Sequence, residues 1–244
     1  ELVAIFFMIA ACLNFSVHYL SFKNKSISVY KNDNEAYFFI FLIFLVSILT
    51  IFYIYNQSLE MTPRDIIKNT FYAISISTTT GFTNSNYFVY VGFLPLLLIL
   101  FSFIGGCAGS TAGGMKAIRI LLLSKQGYRE LRRLVHPNSK IKVKIGNTAV
   151  NERTLETIWG FFAIYVFVFL TALLLLMFSG LDFLTSFSAV AATINNLGPG
   201  QGEVLYNYSN ISDVNKWILS LCMIIGRLEI FTLLVIFIPD FWKK

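Results

Sequence analysis

The sequence predicts an all-α polytopic membrane protein built from repeated units, each a helix, a re-entrant half-helix with its loop, and a second helix. Three observations lead there. Of the 244 residues, 56% are hydrophobic and 16% aromatic while 13% are charged, and the mean hydropathy is +0.69; a soluble domain of this length is a poor match to that balance. Apolar runs approaching the ~30 Å hydrocarbon thickness alternate with polar links that hold most of the charge. The run Gly105-Gly106-Cys107-Ala108-Gly109-Ser110-Thr111-Ala112-Gly113-Gly114 then interrupts one apolar stretch. Each glycine costs about 1 kcal/mol relative to alanine inside a helix, and irregular backbone at membrane depth persists only where protein or a water-filled path satisfies it. A pathway across a membrane is implied.

Residues 2–20 are apolar and nearly long enough to span, without the basic region and cleavage site of a signal peptide. They are expected to be the end of a preceding transmembrane unit of a longer protein. After the polar link 21–34, residues 36–55 read as a spanning helix. Thr62-Pro63-Arg64-Asp65 has the pattern of a helix start, with Thr62 as N-cap, Pro63 in the first turn and Asp65 placed for the free amides. The segment that it opens, 65–77, is too short to cross a bilayer. It ends in the polar stretch Thr78-Thr79-Thr80-Gly81-Phe82-Thr83, and the interrupted span 89–123 follows.

The same order returns in the second half, which is expected to form a unit over 154–239 to match one over 36–123. Residues 155–178 span, 182–193 form a short segment opened by Asp182, 194–200 supply the glycine loop Ile194-Asn195-Asn196-Leu197-Gly198-Pro199-Gly200, and 217–238 span again. Both units run in the same direction, so their pseudo-symmetry axis lies along the membrane normal. The link 124–153 carries Lys125, Arg129, Arg132, Arg133, Lys140, Lys142, Lys144 and Arg153 and is placed in the cytoplasm. Lys23, Lys25, Lys31 and the terminal Lys243 and Lys244 then fall on the same side. The opposite face, with Glu60, Asp65, Asp182, Glu203 and Asp213 against Arg64, Lys68 and Lys216, is mildly acidic and attracts cations.

A helix carries roughly half a negative charge at its C-terminus. Two half-helices entering from the outer face aim that end at the membrane centre, where a dehydrated cation most needs it. Loop carbonyls can then replace the hydration shell of the ion, and glycine permits the backbone geometry that a row of inward carbonyls requires. The candidates are the backbones of Thr79, Thr80 and Gly81 in the first loop and Asn196, Leu197 and Gly198 in the second.

The stretches SISTTTGFTNSNY (75–87), FIGGCAGSTAGGMKAIR (103–119), NNLGPG (195–200) and MIIGRLEIFTLLVIFIPDFW (223–242) closely resemble the Trk/Ktr/HKT superfamily of potassium transporters, most like its bacterial Trk branch. The resemblance covers essentially the whole chain. It implies potassium uptake through one central pore of fourfold pseudo-repeat, of which this chain holds the third and fourth units. It assigns Gly81 and Gly198 as the single filter glycines. It makes the interrupted helix an intramembrane gate, formed by Gly105, Gly106, Gly109, Ser110, Thr111, Gly113 and Gly114. It also implies a homodimer of the full-length subunit, a cytoplasmic ring of nucleotide-binding regulatory subunits, a location in the inner membrane with a cytoplasmic C-terminus, and potassium as the transported ion with no bound cofactor. With two of four loops, this chain alone is not expected to conduct.

Arg227 is placed about 18 Å from either end of a helix spanning 215–239 at about 1.5 Å per residue. An intramembrane arginine is a functional candidate, and Glu229 at i+2 points elsewhere. Arg227 is expected to act as an electrostatic brake on cation flow near the gate, the place that the resemblance gives it.

Other readings remain beside these. Gly105, Gly109 and Gly113 have the small-xxx-small spacing of packed transmembrane helices. Gly109 and Gly114 have P-loop separation, but Met115 stands where lysine is required. Ser110 is not in a nucleophile elbow and has no credible base in His18 or His136, so an intramembrane enzyme is disfavoured. Cys12, Cys107 and Cys222 lie in apolar segments without metal or disulfide spacing. A secondary transporter with discontinuous helices is the alternative function. The basic link suits anionic lipid head groups or simple positive-inside orientation, and nothing suggests nucleic acid.

Overall fold

A computed structural model of the chain describes residues 1–57, 62–83, 92–228, 235 and 238–242. Among these the elements are almost entirely helical: α1 (Leu2–Cys12), α2 (Phe15–Asn24), α3 (Ser28–Asn32), α4 (Asn34–Gln57), α5 (Pro63–Ser77), α6 (Phe93–Ser102), α7 (Ala117–Val135), α8 (Glu152–Phe178), α9 (Phe183–Ile194) and α10 (Asp213–Arg227). A two-residue antiparallel ladder, β1 (Lys144–Ile145) with β2 (Thr148–Ala149), lies between α7 and α8.

Among the described residues two helices, α4 and α8, are long and apolar enough to cross a membrane. Each is apolar all round, so an outer face of exposed Phe41, Phe44 and Phe52, or Phe167, Leu174 and Phe178, remains while the opposite face packs inward. The inward faces enclose two short helices. α5 packs against α1, α4 and α6, and α9 packs against α6, α8 and α10. Their C-terminal turns are the most buried parts of the molecule: Phe71 through Ser77, and Ser188 through Ile194, all lie inside. α6 touches both, so the two halves meet behind the ends of the short helices.

The starts of these short helices follow from local chemistry. Thr62 accepts from the Asp65 amide while the Thr62 amide donates back to Asp65, a closed capping box with Pro63 in the first turn. Asp182 caps α9 through the Thr185 amide at 3.2 Å.

Three features differ from the sequence expectation. The apolar stretch 2–20 is not one helix: α1 and α2 meet at a 98° bend. Leu13 and Asn14 break it, and the Asn14 side chain caps α2 by accepting from the Ser16 amide at 2.8 Å. The first part of the basic link continues α7 to Val135, where His136-Pro137 stops it. Arg129, nearly fully buried, then joins α7 to the start of α8 through a two-pronged pair with Glu152 at 2.6 and 3.0 Å. Finally, α10 ends at Arg227 with Leu228 as its C-cap, inside the expected span 217–238; Glu229 and most of the rest of that span lie outside the described residues.

Candidate functional site

The loops that follow α5 and α9 are built by one hydrogen-bond pattern. Thr78 N donates to Ile74 O, as Asn195 N does to Ala191 O. Thr79 N donates to Ile76 O, as Asn196 N does to Thr193 O. Thr80 and Gly81 then share the Ser75 carbonyl, and Leu197 and Gly198 share the Ala192 carbonyl. The dihedral pattern repeats too: φ is +55° at Thr79 and +53° at Asn196, then +74° at Gly81 and +104° at Gly198. A constant offset therefore carries the first loop onto the second, residue by residue, although their side chains differ.

The loops touch. A Cβ on Gly81 would lie 2.1 Å from Leu197 O and 3.1 Å from the Pro199 ring, so only glycine permits both the positive φ and the approach. Side chains anchor each loop from behind. Thr80 and Thr78 share a hydroxyl bond at 2.9 Å, and Asn196 Nδ2 donates to Met223 O at 3.3 Å. The Gly198 carbonyl accepts from the Tyr208 hydroxyl at 2.8 Å. At the helix mouths, the Thr62 hydrogen bonds hold the Asp65 carboxyl below its usual range, and those from Thr185 do the same for Asp182.

Residues 105–114 form a non-helical segment between α6 and α7. Its neck is closed by Met115 N to Phe103 O at 2.8 Å and Ala117 N to Gly106 O at 2.9 Å. Its outer edge docks on the α1/α2 bend. The broken helix frees the Ala11 and Cys12 carbonyls, which accept from Thr111 N and Cys107 N, while Phe15 N turns to Gly109 O. Ser110 folds back on Cys107 O at 2.6 Å. Gly113 reaches both loops: its amide donates to Thr79 Oγ1 at 2.8 Å, and a Cβ on it would lie 1.9 Å from Asn195 O. Gly105 and Gly114 approach each other across the neck.

Arg227 ends α10 instead of occupying the middle of a helix, and it is exposed in this chain. Gly226 brings it in: a Cβ there would stand 1.9 Å from Ile194 O, so α10 lies directly against the second loop. The Arg227 guanidinium donates to Thr111 O at 3.1 Å, and Lys116 Nζ donates to the next carbonyl, Ala112 O, at 2.5 Å. Both cations border a cavity of about 310 Å³ between the glycine segment, Phe161 and Tyr165. A second cavity, about 320 Å³, lies between α1, Thr78 to Thr80 and Thr111. A third, about 390 Å³, borders Asn196 to Gly198 and α10.

A family model described as a cation transport protein, TrkH, matches residues 1–244. The chain belongs to the TrkH family. The Trk system potassium uptake protein TrkH of Escherichia coli (strain K12) is 46% identical over 244 residues, covering 100% of this chain and 50% of that protein. The Trk system potassium uptake protein TrkG of the same organism is 35% identical, again over 100% of this chain and 50% of its own length. The crystal structure of the potassium transporter TrkH from Vibrio parahaemolyticus matches with a TM-score of 0.93 and 44% identity, over 99% of this chain and 52% of that one. The chain thus spans about half the length of the TrkH-family relatives that it matches, and those relatives are named as transporters.

In this TrkH-family chain, the site also contains residues that sequence reasoning passes over. Asn195, fully buried, accepts from the Tyr165 hydroxyl at 2.5 Å and donates to Ser102 Oγ at 3.0 Å. This braces the second loop against α8 and α6. Glu35 Oε1 accepts from the Ala108 and Ile118 amides at 2.7 and 3.1 Å, tying the glycine segment to α4. Glu35 stands among the polar residues that open α4 and Asn195 within the polar glycine loop, so neither is set apart by the sequence around it, and neither position names its partner.

Proposed function

We propose that this chain forms half of the conducting path of a potassium-uptake protein in the cytoplasmic membrane. Units 36–123 and 154–239 each contribute a pore helix and a filter, with 124–153 as the cytoplasmic link. Potassium is the cargo, held by backbone carbonyls of Thr79, Thr80, Gly81, Asn196, Leu197 and Gly198. The observation that carries this reading is the contact between two loops of one pattern, Gly81 against Leu197 O, at the C-terminal ends of two buried short helices. Repetition with mutual contact is what a shared ion axis requires, and the helix ends add negative potential there.

Beneath the loops, residues 105–114 serve as the gate. Gly113 contacts both loops, and Arg227 and Lys116 hold two successive carbonyls of the segment. A fixed positive charge beside the path opposes cation passage, so Arg227 restrains flow. The subunit works as a homodimer, with a cytoplasmic C-terminus and a nucleotide-binding regulatory ring on its basic face, within anionic lipid. Support for these partners is the Trk-system naming of the relatives and the basic α7 surface.

The test is relative uptake of Rb⁺ and Na⁺ by cells or vesicles carrying the full-length protein. Gly81→Ser forces Leu197 O away and is expected to raise the Na⁺ share. An unchanged ratio in protein that reaches the membrane overturns the filter assignment.

A further inference from the structure

Glu35 lies in the first turn of the apolar helix α4, yet it is only 7% exposed. Its Oε1 gathers two backbone amides, Ala108 N at 2.7 Å and Ile118 N at 3.1 Å. These donors flank the body of the glycine segment. Ala108 lies in its irregular first half, and Ile118 lies just beyond it in the first turn of α7. First-turn amides have no partner within their own helix, and a carboxylate is favoured there by the helix dipole. Hydrogen bonds to a carboxylate are roughly twice as strong as neutral ones. The support beneath Glu35 is firm: Asp33 Oδ1 accepts from the Glu35 and Ala36 amides at 2.8 and 3.1 Å, and Ala36 and Phe39 are packed into the core.

We propose that Glu35 is the positioning residue that clamps the glycine segment, one oxygen holding the segment and the α7 start together at the foot of α4. One clamp on two strands of chain prevents the segment from swinging out while its neck stays closed. The consequence for ion flow rests on the gating reading given above; the clamp itself does not.

Cys107 supplies an independent readout. It is fully buried and adjoins Ala108, so its thiol becomes accessible when the segment lifts. The full-length transporter in membranes is treated with N-ethylmaleimide, and modification of Cys107 is followed by peptide mass spectrometry. Glu35→Ala removes the acceptor and is expected to speed labelling about tenfold or more. Glu35→Gln retains an oxygen at the same reach but loses the charge, so its labelling rate falls between those of the parent and Glu35→Ala. Glu35→Asp keeps the charge but falls short by one methylene; it labels at least about threefold faster and carries the test if the alanine variant does not reach the membrane. Labelling of Cys107 unchanged in both Glu35→Ala and Glu35→Asp, or equally accelerated in Glu35→Gln, overturns the clamp. Rb⁺ uptake separates the two ideas: accelerated labelling with parental uptake supports the clamp and overturns the gate on which its consequence rests.

Discussion

Replacing Gly113 by alanine isolates the steric contact between the glycine segment and the second loop. Gly113 does not require positive φ, so alanine adds no backbone strain there. The new methyl carbon would start 1.9 Å from Asn195 O and 2.8 Å from Asn195 C, whereas ordinary contact begins near 3.4 Å. Closing that difference moves the segment or the loop by about 1.5 Å. The loop side resists, because Asn195 is gripped by Tyr165 and Ser102. The segment side is tied to Thr79, Glu35 and the α1/α2 bend. Overpacking of this kind costs about 1–3 kcal/mol, and the displacement exceeds the roughly 0.5 Å tolerance of a preorganised site. Initial Rb⁺ uptake per transporter in the membrane is therefore expected to fall about tenfold or more, by analogy with the loss seen when reacting groups are misplaced by about 1 Å. Gly127→Ala is the control. It lies within α7 with nothing within 4 Å of its added carbon, should gain about 0.5–1 kcal/mol of helix stability, and should leave uptake unchanged. Parental uptake and an unchanged Rb⁺ to Na⁺ ratio in Gly113→Ala would refute the reasoning.

The remaining perturbations probe the supports of the site. Tyr165→Phe leaves the buried Asn195 oxygen without that donor, at a cost of about 1–3 kcal/mol; the Na⁺ share of uptake should rise, and an unaltered ratio argues that the brace is structural only. Arg227→Ala removes the cation from Thr111 O and should raise Rb⁺ flux, so a lower or equal flux counts against the brake. Asp182→Ala removes the α9 cap. Because the folded carboxyl lies below its ordinary value, the cap stabilises fully above the unfolded value of about 3.9 and is lost as pH falls through the folded one. The melting difference between parent and Asp182→Ala should therefore stay constant from about pH 5 to 8 and shrink only in stronger acid. Arg129→Lys gives up the two-pronged pair with Glu152, and limited proteolysis within residues 136–148 should become faster at unchanged Rb⁺ uptake.

Local chemistry makes the short helices legible in the sequence, and long-range contact hides what holds them. Thr62-Pro63 and Asp182 announce their helix starts because capping needs only neighbours along the chain. The loops are marked by Gly81 and Gly198 for the same reason: a positive φ is a local demand, met cheaply by one residue type. The glycine run shows that the backbone leaves the helix, but not where it goes. Its destination depends on a bend at Leu13-Asn14, and Asn14 is the sequence signal for it: an N-capping side chain set within an apolar run. The bend exchanges helical bonds of Ala11 and Cys12 for bonds to the segment, so neither irregularity is satisfied without the other. Glu35 and Asn195 are a different case, since a single buried acceptor or amide selects partners 30 to 93 residues away that no spacing rule encodes. The length argument misplaced Arg227 because a hydrophobic run fixes how far a helix could extend, while the contact of Gly226 with Ile194 O fixes where this one meets the loop. What could not be read was thus the set of ties joining the glycine segment to α4, α1 and α10. Those ties decide whether it can move independently of the loops, and breaking the Glu35 pair while leaving Thr79 and Arg227 in place separates motion at its foot from motion at its tip.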